Sequence, residues 1–220
     1  GVIIGVINLT GVAAEFGGHI IAIGEKSLFL ALLLTMLTCL VLGMGIPTIP
    51  NYIITSSLAA PVLLQLGVPL IVSHMFVFYF GIMADLTPPV ALAAFAASSI
   101  AREPPMKIGF KAVQVAIAGF VVPYMAVYDN ALMLQGDWTV AAVAYIVFKA
   151  VLSIALWGAA AIGHMFAPLN WGERLFAAAA AFFLVAALPL TDEIGFGLGA
   201  LFLGWHGWRS RRAARTDFSR

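Results

Sequence analysis

Charge is what this sequence lacks most. Of 220 residues, 11 are lysine or arginine and 10 are aspartate or glutamate, so only 10% are charged while 63% are hydrophobic. A soluble domain carries about 25% charged residues, and no soluble fold covers this much apolar surface with so few. The chain therefore reads as an integral membrane protein. Short alternating apolar–polar segments punctuated by turns are missing too, which excludes a barrel and leaves all-α spans. The net charge of +1 excludes a nucleic-acid-binding field. A single cysteine, Cys39, excludes an intrachain disulfide, and its apolar surroundings make it a small buried hydrophobe. The opening "GVIIGVINLTGV" has neither the basic flank nor the cleavage site of a signal peptide. It has the character of a transmembrane helix cut in its middle, so the 220 residues are expected to be the C-terminal part of a longer polypeptide. Metal-ligand spacings, nucleotide-binding loops and nucleophile constellations are absent, and no cofactor is expected. The serines of "SSLAAP" and "ASSIA" suit close helix contacts, and the Phe-rich stretch 76–80 suits packing.

What the sequence does have is long apolar runs, two of them broken. A partial span over 1–14 is followed by an interfacial or amphipathic piece, "EFGGHIIAIGEKS". Apolar arms at 28–43 and 51–66 flank "GMGIPTIP". Each arm is roughly 24 Å long as a helix, shorter than the ~30 Å hydrocarbon core. With no charge at the tip, a re-entrant hairpin over 28–66 is expected; two ordinary spans with a tight turn are the alternative. Residues 70–101 form one helix broken at "DLTPP", because the prolines remove N–H donors and disfavour helical conformation before them. Further apolar segments are expected at 108–133, 139–165, 174–190 and 194–208. The organisation is a transport region over 1–135, then additional helices and a basic tail over 136–220.

The run "RSRRAAR" at 209–215 predicts a cytoplasmic C-terminus. Counting back, "REPPMK" and "NWGER" fall inside, while the acidic "QGDW" and "LTDE" fall outside. Lys26 alone departs from this pattern.

The breaks carry the chemistry. Irregular backbone at membrane depth occurs where it is buried in protein or lines a watery cavity, and a pair of interrupted helices marks a transporter's binding site. Carbonyls freed at a half-helix C-terminus coordinate Na⁺, and N–H groups at the next N-terminus attract carboxylates. Gly43 and Gly45 can turn carbonyls inward, Pro47 and Pro50 keep the hydrogen-bond ladder open, Thr48 offers a hydroxyl, and Asn51 can cap the second arm. In the second break Asp85 is the only acidic residue between Glu25 and Glu103, and Thr87 adds a hydroxyl. Asp85 reads as a coupling-ion ligand, as an N-cap of the second half-helix, or as both. His74 is read as a satisfied interfacial histidine, with proton relay the alternative. Lys149 is read as pairing with a carboxylate outside these 220 residues or as snorkelling, with a transport role the lesser alternative, and Asp129 and Asp137 are solvated at the outer interface.

The run "LGMGIPTIPNYIITSSLAAPVLLQLGVPLIVSHMFVFYFGIMADLTPPVALAAFAASSIA" resembles the second repeat of the large membrane subunit of tripartite ATP-independent periplasmic (TRAP) transporters. "LTPPVALAAFAASSIA" followed by "PMKIGFKA" is the specific part; "GMGIPT" and "FVVPYMAVYDNALML" resemble the fused permeases that work with TAXI-type receptors. The second proline in "TIPN" departs from the usual tip. The resemblance covers about 1–135 and implies an elevator-type ion transporter repeat in a bacterial inner membrane. It implies Na⁺-coupled uptake of small organic acids delivered by a periplasmic TAXI-type solute-binding protein, together with the rest of the fused permease. By the same resemblance Gly43, Gly45, Thr48, Ala84, Asp85 and Thr87 would bind Na⁺, while Pro47, Asn51, Pro88 and Pro89 would lie beside the substrate. The alternatives are a proton-coupled or other elevator-type anion transporter without a receptor, and a non-transporting structural subunit.

Overall fold

A computed structural model describes residues 2–186 and 190–217. All eleven α-helices lie among them, and they contain no extended strand, only one isolated bridge between His164 and Pro168. The expected all-α architecture holds. Residues 187–189, at the end of the expected 174–190 segment, and 218–220, at the end of the basic tail, lie outside the described residues. The chain forms two compact units, residues 1–113 with 133–136, and residues 114–132 with 137–220.

The first unit opens with α1 (Val2–Thr10) and α2 (Val12–Gly24), separated at Gly11, whose φ of 71° suits a residue without Cβ. Of the stretch expected as an interfacial loop or short amphipathic piece, most is thus helix. Its glycines allow close packing: a Cβ on Gly17 would lie 3.2 Å from Val62 Cγ2. Next come α3 (Leu28–Gly43), α4 (Thr48–Gln65), α5 (Leu70–Met83) and α6 (Leu92–Ala101). Ser27 starts α3 by accepting from Leu30 N–H at 3.4 Å. Helices α3, α4 and α5 pack on one another, and their shared core includes Leu32, Cys39, Ala60, Leu63, Phe76, Val77 and Phe80. Cys39 is fully buried there, as its apolar context predicts.

The expected 108–133 segment starts earlier and is not uniform. It comprises α7 (Pro105–Ala116), a 3₁₀ stretch (Ile117–Phe120) and α8 (Val122–Tyr128), with Pro123 just inside α8. The tighter winding accommodates a proline that cannot donate to a continuing α ladder.

The second unit is built on α9 (Val140–Ile162), α10 (Trp171–Val185) and α11 (Thr191–Asp217). Helix α10 lays Ala177, Ala180, Ala181 and Leu184, all buried, along one stripe, and α9 and α11 pack against it. A Cβ on Gly195 would lie 2.8 Å from the Leu184 backbone nitrogen, so α11 approaches α10 through that glycine. Lys149 is buried, and its ammonium pairs with Asp192 at 2.5 Å, while Tyr145 donates to the same carboxylate at 2.7 Å. Its carboxylate partner lies within this chain, which corrects the expectation of an outside partner or of snorkelling. The spacing could not reveal this, because 43 positions separate the two residues.

The α9–α10 connection is locked by polar contacts. Thr139 caps the start of α9, and Gly163 ends it at φ 79°. Arg174 donates to the Ala160 and Ala161 carbonyls at 2.7 and 3.0 Å, closing the end of α9. Asn170 and Glu173 form a reciprocal capping box on α10. Glu173 Oε2 also pairs with Arg209 at 2.9 Å, and its Oε1 lies 3.5 Å from His206 Nδ1. Burial alone would raise the Glu173 pKa, but the Asn170 backbone N–H, His206 and Arg209 outweigh it and hold the carboxyl below its ordinary 4.5. A lowered folded pKa means stabilisation that is present above the ordinary value and is lost as pH falls through the folded one. Melting of the purified protein from about pH 6 down to about pH 3.5 should therefore show a loss beginning near the ordinary glutamate value. Glu173→Gln should flatten that part of the profile; an unchanged profile would mean that Glu173 is not its source.

Among the described residues, two helical stretches, Pro105–Tyr128 and Val140–Ile162, are long and apolar enough to cross a membrane, and Leu28–Gly43, Leu70–Met83 and Leu92–Ala101 are shorter apolar helices. Phe148, at 61% exposure, and Val151, at 60%, show the apolar outer surface that this implies for α9.

Candidate helix-break site

The two breaks meet within the first unit. Helix α3 ends at Gly43, four residues make the tip, and α4 starts at Thr48. Gly45 turns the chain at φ 76°, and Ile46 N–H closes onto the Gly43 carbonyl at 3.3 Å. Pro47 occupies the N-cap position and Pro50 lies in the first turn of α4. The helix therefore begins three residues before the expected 51. First-turn N–H groups have no intrahelical acceptor, so prolines there start a helix rather than hold it open.

The same shift changes Asn51. It does not cap α4: it lies inside the helix, fully buried, and its Nδ2 donates to the Gly81 carbonyl of α5 at 2.7 Å. Gly43 is helical, and its value is space. A Cβ there would lie 2.5 Å from Asn51 Nδ2 and 2.6 Å from Ala84 Cβ.

The second break runs from the end of α5 at Met83 to the start of α6 at Leu92. Tight turns carry the chain on: Asp85, Leu86 and Thr87 N–H groups donate to the carbonyls of Ile82, Met83 and Ala84 at 3.0 to 3.3 Å. The Pro88–Pro89 bond is cis, and Ala91, at φ 40°, is the N-cap of α6. Asp85 is thus not the N-cap, although its backbone carbonyl accepts from Ala93 N–H at 2.9 Å. The side chain is left for the other break: Asp85 Oδ2 accepts from Thr48 Oγ1 at 3.3 Å. Across the loops, a Cβ on Gly45 would lie 3.4 Å from Val90 Cγ1.

Gly43, Gly45, Thr48 and Asn51 are therefore gathered with Ala84 and Asp85. Thr87 is turned onto its own helix end, donating to the Met83 carbonyl at 2.7 Å. Pro88 faces α7, where a Cβ on Gly109 would lie 3.1 Å from Pro88 Cγ; Pro47 and Pro89 are exposed. Two oxygens stand out electrostatically. Asn51 Oδ1 and Asp85 Oδ1 are buried without a donor, and an unsatisfied buried acceptor costs about 1–3 kcal/mol. His74 is engaged: its Nδ1 lies 2.9 Å from the Tyr52 hydroxyl, the two rings edge to face. Asp129 accepts from the Ala131 N–H at 3.1 Å, and Asp137 is exposed.

Sequence reasoning missed Gly81 and Val90. Gly81 lets the Asn51 amide reach the α5 backbone, but Asn51 lies 30 positions away, so nothing local marked that role. Val90 carried no signal either.

The family model of the tripartite ATP-independent periplasmic transporter, DctM component, matches residues 1–138, which include both breaks. The chain belongs to this family. Searches of curated proteins and of solved structures give no match. As a DctM-family chain it is a permease component of a TRAP-type secondary transporter and an integral inner-membrane protein, in a family of transporters rather than enzymes. DctM-family proteins work with a periplasmic solute-binding protein and a small membrane component. The family match ends close to the start of α9 at Val140, so most of the second unit, with its Lys149–Asp192 and Glu173–Arg209 pairs, lies beyond it.

Proposed function

We propose that this DctM-family chain forms the Na⁺ site and half of the substrate site of a fused, TAXI-type permease that imports small organic acids by Na⁺ symport. The observation that carries this reading is the pair of buried acceptors without donors, Asn51 Oδ1 and Asp85 Oδ1, where the two breaks are joined by the Thr48–Asp85 hydrogen bond. Carboxylate, amide and hydroxyl oxygens are a donor set for a hard cation, and Na⁺ would relieve both unsatisfied acceptors. The ion draws Thr48 and Asp85 together and so orders the tip against the second break. Helices α4 and α6 begin there without any side-chain cap. Pro50 has no N–H, and Ala93 and Ala94 donate to the Asp85 and Ala91 carbonyls, so the first-turn N–H groups offered to the carboxylate of the substrate are those of Thr48, Ile49 and Leu92. Helices α3 and α4 act as a re-entrant hairpin, the repeat moves as an elevator between the two faces of the membrane, and the basic C-terminus is cytoplasmic. A periplasmic receptor hands over the acid and so selects it.

The test uses the intact permease and its receptor in proteoliposomes, with organic acids outside and an inward Na⁺ gradient, an inward proton gradient, or neither. Uptake should require Na⁺ and the receptor. Asp85→Ala should raise the half-saturating Na⁺ concentration by about tenfold, the equivalent of about 1.4 kcal/mol lost from one ion ligand. Thr87→Ala should raise it less, because its hydroxyl already serves the Met83 carbonyl. Uptake that follows protons, or unchanged Na⁺ dependence in both variants, would overturn the assignment.

A further inference from the structure

The two breaks limit what kind of acid their half of the site can take, provided the Na⁺-symport reading of that site holds. The N–H groups of Thr48, Ile49 and Leu92 remain for a substrate. The next ones are used or missing. Asn51 N–H donates to the Pro47 carbonyl at 3.0 Å, Ala93 N–H donates to the Asp85 carbonyl at 2.9 Å, and Pro50 has none. Three donors suit the two oxygens of one carboxylate. Both helix starts lie where the breaks meet. There Thr48 Oγ1 donates to Asp85 Oδ2 at 3.3 Å, and the fully buried Asn51 keeps its Oδ1 unpartnered.

Cations are missing from this meeting point. From 27 to 101 the sequence holds no lysine or arginine and a single histidine, His74, whose Nδ1 is engaged by the Tyr52 hydroxyl at 2.9 Å. Lys26 precedes α3, whose 16 residues place it roughly 24 Å from Gly43. Arg102 follows α6, whose 10 residues place it roughly 15 Å from Leu92. Helix α7 does reach the second break, since a Cβ on Gly109 would lie 3.1 Å from Pro88 Cγ. Its lysines, Lys107 and Lys111, stand two positions either side of Gly109, about 200° around the helix, and both are exposed. Asp85 brings one negative charge, which one Na⁺ offsets. A second carboxylate on the substrate would find no counter-charge in this unit and would lie near Asp85.

The exposed side chains at the breaks are of one kind. Pro47, Ile49 and Pro50 on the tip side, and Pro89 and Leu92 on the other, are all apolar. Ile49 is 75% exposed and Leu92 41%. Apolar walls with a few placed polar groups are the usual lining of a small-molecule site.

We propose that the acid is a monocarboxylate with an apolar body rather than a dicarboxylate. Its carboxylate lies at the N–H groups of Thr48, Ile49 and Leu92, and its body lies against the side chains of Ile49, Pro89 and Leu92. The membrane site then adds a filter to the receptor's choice.

The intact permease, purified in detergent without its receptor, would be melted with hexanoate or with adipate, in which a second carboxylate replaces the terminal methyl. Both series would be run in NaCl and in KCl. Na⁺ alone should raise the melting temperature. In Na⁺, hexanoate should raise it further, with a half-saturating concentration at least about tenfold below that of adipate. In K⁺ neither acid should act. Ile49→Lys puts a cation at an exposed position of the same wall. It should lower the half-saturating adipate concentration about fivefold, the equivalent of about 1 kcal/mol for an exposed charge pair. Adipate bound by wild type as tightly as hexanoate would overturn the proposal and leave the Na⁺ reading standing, as would stabilisation by Na⁺ with no effect of either acid. Unchanged adipate binding in Ile49→Lys would overturn the placement of the body against Ile49. No stabilisation by Na⁺ would overturn the Na⁺ reading and this proposal with it.

Discussion

Gly43→Ala is expected to cut uptake by the intact permease by about tenfold or more. The added methyl would lie 2.5 Å from Asn51 Nδ2 and 2.6 Å from Ala84 Cβ. Neither neighbour yields easily. The Asn51 amide is fully buried and bonded to the Gly81 carbonyl, and Ala84 Cβ is fixed to the backbone of the second break. The end of α3 must therefore retreat from the break it touches. Overpacking of this kind costs about 1–3 kcal/mol, or roughly 5- to 150-fold in any step that needs the closed arrangement. Gly45→Ala is the informative comparison. It is strained at φ 76°, but its Cβ meets only Val90, at 3.4 Å, so it should impair uptake less. Rates measured in proteoliposomes at matched protein content decide the matter. If Gly43→Ala transports as well as wild type, the contact between tip and break is not part of the transport cycle.

Asp192→Ala is expected to destabilise the second unit by about 2–3 kcal/mol. It leaves the Lys149 ammonium buried on α9 without its carboxylate. Breaking a buried ion pair costs about 3–5 kcal/mol, and the lower figure here reflects the 33% exposure of the Asp192 side chain. Lys149→Met should cost less, because Asp192 keeps the Tyr145 hydroxyl and its access to solvent. Lys149→Met combined with Asp192→Leu should recover most of the loss, since an apolar pair of similar volume carries no desolvation penalty. Unfolding of the purified protein in detergent, read as a double-mutant cycle, measures the coupling. Strictly additive single effects would show that the two residues do not hold α9 to α11.

The broad architecture was legible in the sequence because membrane helices announce themselves through length and apolarity. The arms at 28–43 and 51–66 and the interruption at "DLTPP" correspond closely to α3, α4 and the loop between α5 and α6. Boundaries near proline were harder. Pro47 and Pro50 look like obstacles in a linear reading, yet a first helical turn needs no N–H from them. The same ambiguity hid the role of Asn51. A polar residue three or four positions into a helix can face solvent or a neighbour, and only the position of α5 decides which.

By itself the sequence determined that this chain is helical and lives in a membrane, where its two interruptions lie, and which oxygen-bearing residues stand beside them. Those are properties of composition and local backbone chemistry, readable within a turn or two of each residue. Only the tertiary structure decided that Thr48 bonds Asp85, that Gly43 makes room for Asn51 and Ala84, and that Lys149 finds Asp192. These pairs are separated by 8 to 43 positions. Which of many chemically suitable partners meet is fixed by how whole helices pack: the small residues at Gly43, Gly81 and Gly195 set how closely backbones approach, and that approach selects the polar groups that come within reach.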